Sequence, residues 1–105
     1  MRAGQLRHHV EIQIASESRT GHGAVDRAWT VEAERWASIS PLQGQEQILA
    51  QQLGSRMSHR IQLRYYAGLT TKHRIVHDGR VFEIRSVANV GERDKSTECM
   101  VEEQA

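Results

Sequence analysis

The chain has 105 residues, of which 38% are apolar and 26% are charged. This size and composition support one compact domain with a small core, so residues 1–105 are expected to form a single domain. Lysine and arginine total 14 against 13 acidic residues, and a formal charge of +1 gives no global reason to expect a nucleic-acid or membrane partner. The mean hydropathy of −0.61, without an apolar run near the ~20 residues of a spanning helix, excludes a transmembrane protein.

The N-terminal residues, Met1–Leu6, lead into polar residues instead of the ~7–15 apolar residues of a secretory signal. The single cysteine, Cys99, has no partner for an internal disulfide. Both features favour synthesis in a reducing cytoplasm. The stability of the fold is therefore expected to come from burial.

The first half of the chain predicts two strands. Apolar residues alternate with polar ones over Val10–Ile14, which is typical of a half-buried strand. The polar stretch 16–27, with two glycines, predicts a long loop. A second strand is predicted over Trp29–Ile39, and a change of phase near Glu34 and Arg35 indicates a bulge there.

A helix start follows at Ser40-Pro41-Leu42-Gln43, because serine caps exposed amides and proline suits the first turn. Gly54 is a plausible stop. Gly44 weakens the opening turn by about 1 kcal/mol relative to alanine, so the segment is predicted as a short helix or a mobile loop over about residues 40–54.

The second half is rich in strand signals. Alternation returns over Ile61–Tyr65, and Asp78-Gly79 between two β-prone runs predicts a tight hairpin. A last strand contains Cys99 and Val101. The fold class is therefore predicted as mainly β, a small antiparallel β-barrel or sandwich of about six strands with one short helix or mobile loop.

Residues that could carry chemistry do not form a recognisable site. Histidines stand at positions 8, 9, 22, 59, 73 and 77, but their spacing matches no zinc motif, so surface or interface histidines and no metal are expected. No nucleophile elbow, phosphate loop or dinucleotide fingerprint occurs, which predicts no catalytic residue and no cofactor. Cys99 is interpreted as a packed thiol, and Trp29 and Trp36 as core anchors.

Charge is unevenly distributed along the chain. Residues 56–85 contain seven basic and two acidic residues, whereas residues 86–105 contain two basic and five acidic ones. Arg60 and Arg64 lie on one face of a predicted strand, where they fit a phosphate backbone, an acidic neighbour or solvent. Tyr65 and Tyr66 are adjacent and face opposite ways, which disfavours a base-stacking platform.

An ordered set of fragments resembles the head-tail joining proteins of tailed bacteriophages, also called head-closure, stopper or head-tail adaptor proteins. The resemblance covers about residues 4–103 in the same order and spacing. The fragments are Leu6–Gln13, Trp29, Trp36–Leu42, Gly44–Glu46, Ala50–Gln52, His59–Ile61, Arg64–Tyr65 and Gly79–Val87.

The resemblance implies a structural protein of the virion neck, with no enzymatic activity and no cofactor. Members form a ring, twelve-fold or six-fold, between the portal or adaptor ring and a tail-side completion or terminator protein. They join the head to the tail, and some close the channel and so stay near packaged double-stranded DNA. Assembly in the bacterial host cytoplasm and no membrane partner are implied. A small β-barrel with a helix or mobile loop is the implied fold.

In the closure members, the segment after the Ser-Pro-Leu strand end projects toward the channel. Carried over here, the implied channel-facing or plug residues are Leu42, Gln43, Gly44, Gln45, Glu46, Gln47, Ile48, Gln51 and Gln52. Neutral glutamines suit a plug that must release DNA better than a basic ring. The alternative is an ordinary amphipathic helix packed on the barrel, since Leu49 and Leu53 favour burial.

Two further contacts are predicted for assembly. A subunit interface is expected to pair Arg60, Arg64 or Arg74 with Glu98, Glu102 or Glu103 of a neighbour, because a head-to-tail contact can close a ring. The 16–27 stretch, with Arg19 and His22, is a second candidate for contact with another neck protein.

Three alternatives stay open at this point. A tail-completion protein is the closest, because neck and tail-completion components share size and β-rich composition. A small β-barrel nucleic-acid-binding module requires a basic and aromatic groove, and a small metalloenzyme requires convergent ligands.

Overall fold

The fold is a closed six-stranded antiparallel β-barrel. A computed structural model describes residues 6–19, 25–52 and 57–104. The strands pair in the order β1-β2-β3-β6-β5-β4 around the barrel, which confirms the mainly β prediction and decides between barrel and sandwich. The elements are β1 (His8–Arg19), β2 (Val25–Pro41), α1 (Gly44–Gln52), β3 (His59–Arg64), β4 (His73–His77), β5 (Arg80–Asn89), a 3₁₀ turn (Val90–Glu92) and β6 (Ser96–Glu103).

The core follows the alternation of the strands. Every strand contributes at least one residue to the core, the strands that contribute two do so at alternate positions, and a connection adds Leu69. Each fully buried aliphatic or aromatic side chain stabilises the fold by about 1.5–3 kcal/mol. The buried cluster consists of Val10, Ile12, Ala37, Ile61, Leu63, Leu69, Ile75, Phe82, Ile84, Cys99 and Val101.

The predicted hairpin at Asp78-Gly79 is confirmed. His77 pairs with Arg80, and the two residues between them join β4 to β5. Asp78 and Gly79 have φ angles of 49° and 79°. Positive φ at both central positions is the requirement of the type I′ turn, which matches the twist of the flanking strands.

The long loop predicted over residues 16–27 is wrong. β1 and β2 continue to pair from Ala15 opposite Trp29 as far as Arg19 opposite Val25, while residues 20–24, with His22, lie outside the described residues. β4 pairs with β1 only as far as Ile14. Past that point β1 and β2 still pair with each other, and this hairpin is called the arm (15–19 and 25–30).

The predicted bulge is present but lies elsewhere. Ile12 pairs with Ala33 and Gln13 with Val31, so Glu32 is the extra residue, rather than Glu34 or Arg35. A bulge reorients the side chains around it. The sequence signal for this bulge is weak, because the shift in the alternation of apolar and polar residues is compatible with an extra residue at any of several neighbouring positions.

The interpretation of both tryptophans as core anchors is wrong. The adjacent Ala37 takes the inward position, so Trp36 lies on the outer face against His9 and is 56% exposed. Trp29 is half-buried, with the Arg74 guanidinium 4.2 Å from its ring centre. Phe82 is the aromatic residue that fills the core.

The helix begins at Gly44 rather than near Ser40. Ser40 and Pro41 still belong to β2, where they pair with Arg60 and His59. The ladder with β3 thus overrides the local capping signal, and proline is tolerated because it is the last residue of its strand. Among the described residues, none of the helical stretches has the length and apolar character needed to span a lipid bilayer.

Candidate functional site

The residues after β2 leave and re-enter the barrel at adjacent points. The Leu42 amide donates a hydrogen bond of 2.9 Å to the Ser58 carbonyl, and the Ser58 amide donates one of 2.8 Å to the Val101 carbonyl. The Ser58 hydroxyl accepts a hydrogen bond from the Glu103 amide at 2.9 Å. Leu42 is buried. Leu42 and Ser58 are called the two roots of the segment between them. The contacts above fix both roots at the barrel end where β3 begins and β6 ends.

Between these roots, residues 43–52 form the exposed segment. The backbone amide of Gln47 donates a hydrogen bond to the backbone carbonyl of Gln43, which closes the first turn. Every described side chain of the helix is exposed, and Ile48 and Leu49 are each 57% exposed. The described part of the helix therefore does not pack on the barrel as an amphipathic helix would.

One ionic contact links the exposed segment to the barrel wall. Arg60 Nη2 donates to Glu46 Oε2 at 3.0 Å, and Arg60 Nε lies 3.2 Å from Glu98 Oε1 without the alignment of a hydrogen bond. These side chains are about a third to a half exposed, and an exposed ion pair contributes only about 0–1 kcal/mol. Glu46 is thus held by a contact that a neighbouring molecule can displace.

Three histidines gather at the same end of the barrel. The rings of His8 and His77 are 4.8 Å apart, and His59 packs edge-on against Phe82 at 5.4 Å. Burial, followed by the neighbouring His77, lowers the pKa of His8; burial also lowers the pKa of His59, where Glu103 and Arg80 act in opposite directions. The described residues contain no group of His, Cys, Asp and Glu that could hold a metal ion.

The opposite end of the barrel holds a polar network around the bulge. Tyr66 donates its hydroxyl to Glu32 Oε2 at 2.6 Å, and His73 Nε2 lies 2.8 Å from the same oxygen. The Thr70 amide donates to His73 Nδ1, which assigns the proton to Nε2. The Tyr66 hydrogen bond is the main cause that lowers the pKa of Glu32. His73 is buried, so the prediction of surface or interface histidines is wrong for this one.

The profile of phage head completion proteins matches residues 1–104 of this chain. The chain belongs to the phage head completion protein family. Membership carries a structural role in completing the phage head, and the family is not a known class of enzymes.

Two solved structures share the fold of this head completion family member. Protein SF1141 from Shigella flexneri 2a, solved in solution, has a TM-score of 0.76 and 24% identity over 100% of this chain and 98% of its own. A chain from the virion of a native gene transfer agent particle has a TM-score of 0.64 and 18% identity over 94% of this chain and 96% of its own. The likeness concerns the fold alone. A search of curated proteins finds no match.

The acidic residues predicted for a subunit interface of this family member have partners within the chain. Glu103 pairs with Arg80, Glu102 with Arg85, and Glu98 with Arg60. The intersubunit pairing stays a prediction, and these intrachain contacts must be shared or exchanged for it to form.

The predicted basic residues lie in different surroundings. Arg64 is exposed at the end of β3, and within the described ranges it forms no ion pair. Arg74 donates to Gln13 Oε1 at 2.7 Å while it stacks on Trp29. Arg19 ends β1, and His22 lies outside the described residues. The structure therefore does not gather Arg64 and Arg74 into one site.

Three residues that shape the two barrel ends had not been singled out as site residues from the sequence: Ser58, His59 and Glu32. Ser58 and His59 hold the returning root, with Ser58 Oγ 2.8 Å from His59 Nδ1. His59 shares the inward phase of Ile61 and Leu63, and this alternation was a signal for a histidine at the barrel end. Glu32 had no such signal because its role depends on residues more than thirty positions away.

Proposed function

We propose that this chain is a subunit of the ring in the virion neck that joins the phage head to the tail, and that its exposed segment closes the channel to retain DNA. The observation that carries this proposal is the exposed helix held at two adjacent roots, Leu42 and Ser58, on one end of a closed barrel. Membership of the head completion family supports it. The virion origin of one structural neighbour supports a place in the particle.

The composition of the exposed segment suits reversible closure. Its polar residues are the neutral glutamines 43, 45, 47, 51 and 52 together with Glu46. A polyanion binds strongly to clustered lysine and arginine, so amide side chains from neighbouring copies can meet each other without trapping DNA. Glu46 stays near Arg60 in the free chain, and this exposed pair is weak enough to exchange on assembly.

The partners follow from this position. The head-side neighbour is a portal or adaptor ring, and the tail-side neighbour is a completion or terminator protein. The chain itself repeats as a ring, twelve-fold or six-fold, with double-stranded DNA in the channel. Assembly takes place in the bacterial host. Contacts of Arg60, Arg64 or Arg74 with Glu98, Glu102 or Glu103 of a neighbour, and of Arg19 and His22 with another neck protein, belong to this proposal.

A deletion of the gene tests the joining role. Electron microscopy of the particles, with a parallel assay of retained DNA, is expected to show heads without tails beside free normal tails. A tail-completion protein would instead leave closed heads beside incomplete tails. Normal virions would overturn the proposal and leave a β-barrel module without a known partner.

A segment replacement separates closure from joining. Because Leu42 and Ser58 are hydrogen-bonded neighbours, residues 43–57 can be replaced by a short glycine-containing turn while the barrel stays closed. Heads are expected to leak DNA before tails attach, although the ring still forms. The control exchanges Gln45, Gln47, Gln51 and Gln52 for Asn, which keeps neutral amides on a segment of the same length. Full DNA retention by the replacement would overturn the closure role.

A further inference from the structure

The outer surface of β1 and β2 presents apolar side chains to solvent. Val31 is 52% exposed and Trp36 is 56% exposed. The extra residue at Glu32 changes the phase of β2, so that Val31, Glu34 and Trp36 all pair with outward residues of β1. β3 pairs with β2 only from Ala37 onward, which leaves the rest of this β2 edge without a described strand beside it. This surface is called the docking face.

Two carboxylates lie within the docking face. Glu11 and Glu34 are direct cross-strand partners. Like charges in that position oppose each other. Among the described residues, neither side chain forms an ion pair or receives a hydrogen bond. The docking face is thus apolar and acidic at once, and within the described ranges its two carboxylates have no ion-pair partner.

A second surface has complementary properties. A cavity of about 680 Å³ lies between the arm and the outer side of β4 and β5, and its walls include Trp29, Lys72, Arg74, Val81 and Glu83. Lys72 is exposed and forms no ion pair within the described ranges. Arg74 is held in place by Gln13 and by the Trp29 ring. This surface is called the cationic groove.

We propose that the docking face of one copy of this chain binds the cationic groove of a second copy. Trp36 and Val31 enter the groove beside Trp29 and Val81, while Lys72 and Arg74 approach Glu11 and Glu34. The proposal rests on the proposed function, because it adds a contact between neighbouring copies of the ring described there.

The placement of the two surfaces favours a ring over a pair. The docking face lies on β1 and β2 and the cationic groove on the arm, β4 and β5, so they are two different surfaces that adjoin along β1. A contact between different surfaces repeats head to tail and leaves one of each free for the next copy. A buried tryptophan within a ring of polar contacts is the usual centre of such an interface.

Cysteine pairs test the contact in assembled virions. Glu34→Cys together with Lys72→Cys is expected to give disulfide-linked multimers well beyond dimers under mild oxidation. The two positions cannot join within one chain. Glu34 pairs with Glu11 of β1, whereas His73, which follows Lys72, pairs with Ile14, three residues further along β1 at about 3.3 Å each. Each single variant is the control and is expected to stay monomeric. The native Cys99 is buried and does not compete.

Charge exchange provides the second test. Glu34→Lys and Lys72→Glu are each expected to lower the yield of tailed particles about tenfold, and their combination is expected to recover it. Glu92→Lys makes the same charge change in an exposed turn and serves as the matched control. Circular dichroism and thermal melting verify that each variant folds.

The outcomes separate the two proposals. Absence of multimers in tailed particles, or dimers from Glu34→Cys alone, would overturn the docking contact and leave the neck role intact. Normal virions without the gene would instead overturn the neck role itself. Recovery of particles by the combined charge exchange, with multimers from the cysteine pair, would establish the contact.

Discussion

At the scale of single residues, the surroundings of a side chain decide what it does in this chain. Trp36 and Phe82 are both large aromatics on strands, yet one lies on the outer face and the other fills the core. His9 is exposed whereas His73 is buried against Glu32. The difference comes from strand phase, which directs alternate residues to opposite faces.

Protonation of His59 is expected to destabilise the barrel. Its pKa is lowered in the folded state, chiefly by burial, so the unfolded chain binds more protons below about pH 6.5. The contribution of neutral His59 to the free energy of unfolding is therefore complete above that pH. It declines as the pH falls toward the pKa of His59 in the folded state. The melting temperature of His59→Gln is expected to fall less between pH 7.5 and 5.5. The exposed His9→Gln is the control, and an unchanged fall in His59→Gln would contradict the assignment.

The Cys99 thiol is expected to resist modification in the native protein. Burial raises its pKa to about 12, so almost no thiolate exists at neutral pH. A thiol reagent is expected to react only as the chain unfolds in urea, in parallel with the loss of tertiary structure. Rapid reaction without denaturant would show that the core opens locally at β6.

Removal of one docking-face carboxylate is expected to stabilise the isolated chain. Glu34→Gln eliminates the cross-strand repulsion with Glu11, a gain of roughly 0.2–1 kcal/mol. Urea unfolding at low salt measures it, and the gain is expected to shrink at high salt because mobile ions screen the repulsion. Glu92→Gln is the control in an exposed turn. A loss of stability in Glu34→Gln would contradict the assignment of Glu11 and Glu34 as two carboxylates that repel each other.

At the scale of elements, the exposed helix and the β4–β5 hairpin differ in how they are stabilised. The hairpin depends on a turn with two positive φ angles and on the strands that it joins. The helix has nine residues, and its described side chains contact solvent. A helix this short is marginal without packing, so it can change shape on assembly while the barrel stays intact.

The same substitution is therefore expected to act differently in the two elements. Gly79→Ala forces a side chain into a φ of 79° and is expected to cost about 1 kcal/mol in urea unfolding. Gly44→Ala meets open space at the helix start and is expected to raise helix content, by up to about 1 kcal/mol in local propensity, without changing the unfolding midpoint. Equal midpoint shifts would contradict this division.

At the scale of the whole molecule, the closed barrel separates stability from assembly. The core is continuous around six strands, whereas the docking face, the cationic groove and the exposed segment lie outside it. A small closed domain of this kind unfolds as one cooperative unit. Surface residues are thus free to serve neighbouring molecules.

Two aromatic truncations are expected to show this separation. Phe82→Ala empties part of the core and is expected to cost about 3–5 kcal/mol. Trp36→Ala removes an exposed ring and is expected to change stability by less than about 0.5 kcal/mol while it lowers the yield of tailed particles. Urea unfolding and particle counts measure the two effects. A large loss of stability in Trp36→Ala would place this residue in the fold rather than at an interface.

Local patterns were sufficient for much of the fold. The alternation over Val10–Ile14 and Ile61–Tyr65, and the turn at Asp78-Gly79, predicted strands and a hairpin that the structure confirms. An ordered set of fragments along the chain led to the family. The strand and turn signals depend on neighbours within a few residues, and the order of the fragments is read directly along the chain, so one sequence contains both.

Tertiary structure alone decided the position of the bulge at Glu32, the outward direction of Trp36, the extension of the arm and the exposure of the helix. The intrachain partners of Glu98 and Glu103 belong to the same group. Each of these depends on which strand lies beside which, and at what register, once the barrel closes. Strand pairing between distant residues is set by the closure of the whole core, so no short pattern in the sequence contains it.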